Sequence, residues 1–285
     1  ADAPQQALQR LDGALQVART LHMLGRRDEA GRILDLLETY VQEMPDNDNS
    51  ASPRKQGWER MCLTLLTMGD QPRAWTAAAR SLPSPNATPS LLFRLYPQRP
   101  NEAQGWWMFF RNRDSSEPPA ETFPRVRRVM DPPPQENLAE FEQLVEEAEK
   151  GAGSLSDFRR NMILGAVGEA ALRRKKLDLA RRCLQAAGES NSAAASLLAE
   201  AWWQSGQWAE AAAACEALWQ KDHEQLGSLY LSGEALRRAG REDEGRRRKE
   251  QAVSMALDSR ARMSLATVVN QHGLSEEAAG QFQLV

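Results

Sequence analysis

Two consecutive stretches of this chain, 192–225 and 226–258, carry the same pattern of two amphipathic helical segments joined by a glycine turn. The turn glycines, Gly206 and Gly240, lie 34 positions apart. A hairpin of two helices cannot bury its apolar face alone, so hairpins that repeat at this spacing stack on one another. The 34-residue period therefore predicts an all-α solenoid.

The pattern extends to other parts of the chain. Further hairpins are predicted over 11–44, 55–82, 161–191 and 259–285. A turn motif that runs from glycine to a Glu-Ala pair recurs at 25–30 and 273–278, and more loosely at 206–211. These positions resemble the tetratricopeptide repeat family. The resemblance implies a right-handed superhelix of helical hairpins that binds other proteins and is not an enzyme.

We expect three parts along the chain. Residues 1–82 form N-terminal hairpins, 83–134 form an irregular insertion, and 135–285 form a second block of hairpins. The insertion holds eleven of the 15 prolines. Proline loses a helical hydrogen bond and clashes with the preceding turn, so long helices are excluded over most of it.

Short helices are nevertheless expected at 90–96 and 102–111, and a longer amphipathic helix at 135–150. One account treats 101–112 and 135–150 as the two helices of a degenerate repeat, with a long insertion between them. The second short helix carries an aromatic cluster formed by Trp106, Trp107, Phe109 and Phe110. These residues either anchor the insertion in the core, which is favoured because large aromatics are mostly buried, or form an exposed second docking patch.

The composition excludes several classes of protein. The net charge is −3, from 36 basic and 39 acidic residues, which argues against a nucleic-acid binder. No apolar run approaches the ~20 residues that a membrane-spanning helix needs. Sequence motifs for nucleotide binding, metalloprotease or serine-hydrolase chemistry are missing, so neither catalysis nor a cofactor is predicted.

The residues that most often bind metals or transfer protons are scattered. Cys62, Cys183 and Cys215 are widely spaced in helical patterns and are interpreted as small buried residues rather than metal ligands. The histidines, His223 and His272 among them, have no evident carboxylate partner and are interpreted as solvated turn residues.

In the resembled family, the first helices of successive repeats line a concave groove. The positions that match the groove define the predicted partner-binding residues, Glu169, Arg173, Glu200, Trp203, Tyr230, Glu234, Arg237 and Arg238. Three in-phase glutamates suit a partner segment with basic and apolar side chains, anchored on Trp203 and Tyr230. The alternative is that the glutamates are only solvated surface. They also argue against the family's receptors for acidic chaperone tails, which use Lys and Asn near these positions.

The leading hypothesis is a scaffold that binds a protein or peptide through the concave face of 161–285. Two alternatives stay open: a regulatory or targeting module of a larger enzyme, or a structural subunit of a large assembly. The last helix is short for a capping helix, which fits a fragment of a longer chain or an end completed by a partner. The residues Ala-Asp-Ala-Pro at the start leave the compartment open, with the cytoplasm preferred to the periplasm.

Overall fold

The structure is a computed structural model that describes residues 4–46, 52–82, 87–133, 136–188 and 192–283. Over these residues it contains sixteen α-helices and no β-strand. The helices are α1 (Pro4–Met23), α2 (Arg27–Glu43), α3 (Pro53–Met68), α4 (Gln71–Arg80), α5 (Ser90–Leu95), α6 (Pro100–Arg113), α7 (Pro119–Met130), α8 (Leu138–Ala152), α9 (Asp157–Arg173), α10 (Leu177–Ala186), α11 (Ser192–Gln204), α12 (Trp208–Lys221), α13 (Leu226–Arg238), α14 (Glu242–Met255), α15 (Ser259–Gln271) and α16 (Ser275–Phe282).

The chain divides into two compact units. Unit 1 is Ala1–Glu136 and holds α1 to α7, whereas unit 2 is Asn137–Val285 and holds α8 to α16. The described part of the proline-rich segment therefore belongs to the same unit as the N-terminal hairpins, and α7 packs against α4.

Unit 2 is a stack of hairpins, which confirms the all-α solenoid predicted from the repeat. The pairs are α9–α10, α11–α12, α13–α14 and α15–α16, and each second helix of the first two pairs also packs against the next first helix. Gly206 and Gly240 end their helices with φ of 69° and 84°, the left-handed conformation that glycine adopts at low cost. The first pair has no turn glycine, and Lys175 takes the left-handed conformation there with φ of 58°.

Small residues stand where the two helices of a hairpin cross. A Cβ atom on Gly233 would lie 2.7 Å from the carbonyl oxygen of Gly245 and 2.9 Å from the amide nitrogen of Lys249. In the preceding pair, Ala199 and Ala211 are both buried at the equivalent crossing. These close approaches explain why the repeat needs glycine or alanine at the positions identified in the sequence.

Unit 1 begins with two hairpins, α1–α2 and α3–α4, close to the ranges predicted for them. Pro72 lies in the first turn of α4, where a missing backbone donor costs nothing. The short helices α5 and α6 also lie close to their predicted ranges. The sequence did not predict α7, which begins at Pro119 and contains Pro124. Pro124 faces solvent, where the hydrogen bond that it removes costs least.

The account of a degenerate repeat is wrong. Within unit 1, α6 packs against α7, the next helix along the chain. The helix predicted at 135–150 is α8, which belongs to unit 2 and packs against α9. The two helices proposed to form one repeat therefore lie in different units, because α7 supplies the partner that α6 needs.

Candidate functional site

The predicted groove residues come from three first helices of unit 2. Glu169 and Arg173 lie on α9, Glu200 and Trp203 on α11, and the others on α13. Most of them join residues that the sequence did not connect with them. We call this set the central network, and its members are Glu200, Trp203, Trp208, Tyr230, Glu234, Arg237, Arg238, Lys249 and His272.

Glu234 is the anionic centre of this network, and its side chain is fully buried. Its carboxylate accepts hydrogen bonds from Arg237 at 2.8 and 3.0 Å, from Arg238 at 3.0 Å and from Lys249 at 3.0 Å. Burial alone would raise the pKa of Glu234, but the hydrogen bonds from the three cations lower it to about 2. The prediction that Glu234 lines an acidic groove is therefore wrong, because its charge is neutralised inside the protein.

Arg238 links Glu234 to two tryptophans. Its guanidinium lies 5.0 Å from the centre of the Trp203 ring and 4.8 Å from that of the Trp208 ring, so it makes a cation–π contact with each of them. Trp203 also meets Trp208 and His272 edge to face. Only 9% of Trp203 is exposed, so it is part of the packing and not the open anchor that the sequence predicted.

Tyr230 is packed in the same way. It is 4% exposed, and the ammonium group of Lys249 lies 4.8 Å from the centre of its ring. Burial raises the pKa of Tyr230, so its hydroxyl group is neutral at ordinary pH. Lys249 occupies a position where the repeat favours an apolar residue, and its ammonium group reaches Glu234 and, at 3.6 Å, Glu277. The second predicted anchor is therefore also buried.

Glu200 and His272 are the hydrogen-bonded pair of the network that lies furthest apart in the sequence. Nε2 of His272 lies 2.9 Å from Oε2 of Glu200, across 72 positions of sequence. Nδ1 of the same ring lies 2.8 Å from the carbonyl oxygen of Val268, and Gln204 donates to Glu200 at 2.6 Å. His272 caps α15 and Glu200 lies on α11, so the bond joins first helices that are two hairpins apart.

The interpretation of His272 as a solvated turn residue without a carboxylate partner is wrong. Burial lowers its pKa, but the hydrogen bonds with Glu200 and with the Val268 carbonyl raise it, and the net direction is upward. The pKa of Glu200 is lowered, chiefly by the bond to His272. No local signal in the sequence could have paired two residues this far apart.

The other predicted partner-binding residues are more accessible. Arg173 is exposed and Glu169 is half-buried, both on α9. Arg237 keeps 42% of its side chain exposed although it bonds Glu234. The first helices therefore expose arginine side chains at these positions, and elsewhere Phe158 of α9 and Met263 of α15 are also exposed.

The predicted docking patch on α6 is not on the surface. Trp106, Trp107, Phe109 and Phe110 are each at most 5% exposed. The indole nitrogen of Trp107 donates to the carbonyl of Ala87 at 3.0 Å, and its ring packs against Phe123 at 4.9 Å. These side chains fill the core of unit 1, because an irregular set of helices leaves large gaps that only large rings fill.

A cavity in unit 2 is a feature that the sequence did not reveal. It has a volume of about 440 Å³ and lies between α10, α11 and α12. Leu198, Trp202 and Ala214 contribute to its apolar lining, and Glu210 and Lys221 stand at its edge. The alanines of α12 are too small to fill this space.

In the parts of the chain that the structure describes, the residues that could bind a metal or act as a nucleophile do not cluster into a site. No group of three or more His, Cys, Asp or Glu there could hold a metal ion. Cys62, Cys183 and Cys215 are buried, as predicted, and burial raises the pKa of each thiol to about 12. None of the described helices is both long and apolar enough to span a membrane.

The chain has only distant likenesses among known proteins. No protein-family model and no curated protein matches the chain. Among solved structures, YrrB, described as a TPR protein with an unusual peptide-binding site, is 11% identical, with a TM-score of 0.39 over 79% of this chain and 94% of its own. MamA from AMB-1 is 18% identical, with a TM-score of 0.34 over 51% of this chain and 87% of its own.

The TPR domain of P58(IPK) is 15% identical, with a TM-score of 0.21 over 96% of this chain and 84% of its own. Likenesses this distant say nothing about a partner. The stacked hairpins, turn glycines and small crossing residues of unit 2 confirm the resemblance to tetratricopeptide repeats at the level of the fold.

Proposed function

We propose that this chain is a non-enzymatic scaffold that binds an extended segment of a partner protein along the first helices of unit 2. The observation that supports this most is the bond between Glu200 and His272. It links the first helices α11 and α15 across the hairpin between them, which supports a concave surface on this side of the stack. A concave surface built on rigid helices can hold an extended chain at little cost in ordering.

The exposed residues of this surface suggest the chemistry of the partner. The exposed residues of the four first helices include Arg173, Gln204, Arg237, Thr267 and Gln271. Arg173 and Arg237 supply positive charge, whereas Gln204 and Thr267 already donate to Glu200 and to the Met263 carbonyl. The partner segment is therefore polar with acidic residues, in contrast to the basic and apolar segment that three free glutamates would attract.

Arg237 is the residue best placed to accept a carboxylate from the partner. Glu234 bonds Arg237, Arg238 and Lys249, and Glu277 lies 3.6 Å from Lys249, so three cations share two carboxylates. A further carboxylate at the exposed side of Arg237 would be attracted rather than repelled. Arginine binds carboxylates through two parallel hydrogen bonds, which would fix the position of the partner backbone.

The test is a selection of peptides on the whole chain from a displayed library of random sequences, followed by affinity measurements with the selected peptides. The key variant carries Arg173→Gln and Arg237→Gln. The control carries Arg246→Gln and Arg247→Gln, which removes the same charge from exposed positions on the second helix α14. Circular dichroism checks that both variants remain helical.

We expect the selected peptides to contain acidic residues and to lose about tenfold or more in affinity for the key variant, since each charged hydrogen bond contributes about 1.5–3 kcal/mol. The control should bind as the wild type does. Equal binding to all three proteins would contradict the proposal. If binding is instead lost in Ala214→Trp, which fills the cavity between α10 and α12, the partner occupies that cavity and not the first helices.

A further inference from the structure

We propose that His272 is a proton-dependent clasp, which holds α15 against α11 when its ring is protonated and releases it when the ring is neutral. This inference concerns the conformation of unit 2 and does not depend on the partner proposed above. It rests on the placement of both ring nitrogens, on the charges around them and on the position of the bond within the stack.

Both nitrogens of the His272 ring face acceptors. Nδ1 lies 2.8 Å from the Val268 carbonyl and Nε2 lies 2.9 Å from the Glu200 carboxylate. A carbonyl and a carboxylate only accept hydrogen bonds, so each nitrogen must donate one. A neutral imidazole carries a single N–H group and can satisfy only one of the two contacts, whereas the cationic ring satisfies both.

Loss of the proton therefore breaks a contact. If the neutral ring keeps its proton on Nδ1, the lone pair of Nε2 points at the negative charge of Glu200. If the proton moves to Nε2, the lone pair of Nδ1 points at the Val268 carbonyl instead. In either arrangement the ring has lost its positive charge, so the ion pair that links the end of α15 to the Glu200 carboxylate of α11 is lost.

The groups around the ring determine where it titrates. Glu200 faces it from α11. Arg238 of α13 lies over Trp203, and the rings of Trp203 and His272 meet edge to face with 5.2 Å between their centres. Lys175, in the turn before α10, lowers the pKa of Glu200, and the thiol of Cys215 on α12, whose pKa is raised by burial and by Glu200, stays neutral. Burial lowers the pKa of His272, and the bonds to Glu200 and Val268 raise it above the ordinary value of 6.5.

The direction of the pH effect follows from this sign. A group whose pKa is raised in the folded state stabilises its contact fully below the ordinary value, and this stabilisation is lost as the pH rises through the raised value. The clasp is therefore closed at pH 6 and opens on the alkaline side of the ordinary histidine value.

The position of the bond between Glu200 and His272 lets it control the conformation of unit 2. In a solenoid each repeat contacts its neighbours, so small rotations between repeats add up to the curvature of the stack. A bond from α11 to the end of α15 skips the hairpin between them and restrains both rotations at once. Release of the clasp leaves the contacts between neighbouring repeats and the uncharged ring contact of Trp203 with His272, and the distance between the first helices increases.

The test combines nuclear magnetic resonance of the imidazole nitrogens with distance measurements on the whole chain. Spin labels are attached at Ser196→Cys on α11 and Thr267→Cys on α15, both exposed, while the buried native cysteines stay unlabelled. From pH 5.5 to 9, we expect one imidazole, identified by its absence in His272→Gln, to titrate above 6.5. The distance between labels should be short at low pH and longer at high pH, with the same midpoint.

Two variants separate the clasp from other pH effects. In Glu200→Gln the amide can donate to the lone pair of the neutral ring, and in His272→Gln the amide can donate to Glu200, so neither contact needs a titrating proton. Both should keep the short distance at every pH. The proposal is overturned if His272 titrates at or below its ordinary value, if the wild-type distance does not change with pH, or if Glu200→Gln changes as the wild type does.

Discussion

The two units of this protein are stabilised by different kinds of interior. Unit 1 buries large rings, with Trp58, Trp106, Trp107 and Phe123 each at most 1% exposed. Unit 2 brings its helices together at glycine and alanine, as at the crossing of Gly233 and Gly245. The aromatic interior tolerates helices of unequal length and direction, whereas close crossings at small residues demand the same geometry in every repeat.

This difference predicts where single substitutions cost most. Trp107→Ala removes a ring that is 1% exposed, contacts Phe123 and bonds the Ala87 carbonyl. We expect a loss of about 3–5 kcal/mol in the free energy of unfolding, as for other large buried side chains. The comparison is Trp202→Ala in unit 2, which is half-buried and should cost clearly less. Urea unfolding followed by circular dichroism measures both, and equal losses would show that the aromatic interior is not the stronger of the two.

Removal of the buried charge of Glu234 should cause the next largest loss in the free energy of unfolding. Glu234→Gln leaves Arg237, Arg238 and Lys249 together without their shared carboxylate. Removal of one partner from a buried ion pair costs about 3–5 kcal/mol, and the partial exposure of these cations reduces that to about 2–3 kcal/mol at pH 7. Unfolding of the variant and the wild type in the same buffer measures the difference.

The same variant has a pH dependence with a fixed sign. The pKa of Glu234 is lowered from 4.5 to about 2, so the wild type keeps this stabilisation above about pH 4.5 and loses it as the pH falls toward 2. The gap in stability between the two proteins should therefore shrink across that window. A gap that stays constant down to pH 2 would mean that folding does not lower the pKa of Glu234.

The contrast between the units also explains how much the sequence could predict. The hairpins of unit 2 were predictable because turn glycines and small crossing residues recur at a fixed period, as at Gly206 and Gly240. The helix α7 was not, because Pro124 argues against a helix and only its exposed position allows one. Unit 1 packs irregularly, so its sequence has no repeat period from which α7 could be predicted.

The contacts of the central network could not be predicted from the sequence for another reason. Glu234 and Lys249 are 15 positions apart, and Glu200 and His272 are 72 apart. The repeat alignment placed Glu200, Glu234 and the arginines on the correct helices. It did not show which way each side chain turns, and a glutamate on an inner position can face a groove or a cation in the next hairpin. That choice is made by packing, which only the folded chain determines.

Glycine substitutions sharpen the comparison between the units further. Gly233→Ala would place a methyl group 2.7 Å from the Gly245 carbonyl oxygen, so the two helices must move apart. We expect a loss of about 1–3 kcal/mol from this overpacking. Gly13→Ala on α1 is the matched control, because a Cβ there meets nothing within 4 Å. It should raise the stability by about 0.5–1 kcal/mol, since alanine is the better helix former. Destabilisation by both would indicate a general effect of helix composition.

The smallest expected effects come from surface ion pairs, and they should not differ between the units. Arg182 bonds Glu149 at 2.7 Å between second-unit helices α10 and α8, and Arg73 bonds Glu38 at 2.6 Å between α4 and α2. Solvent screens both pairs, so Arg182→Ala and Arg73→Ala should each change the free energy of unfolding by about 0–1 kcal/mol. The effects should fall further in 1 M salt, where screening acts over about 3 Å. A loss above 2 kcal/mol for either variant would mean that charges outside the central network also hold the helices of that unit together.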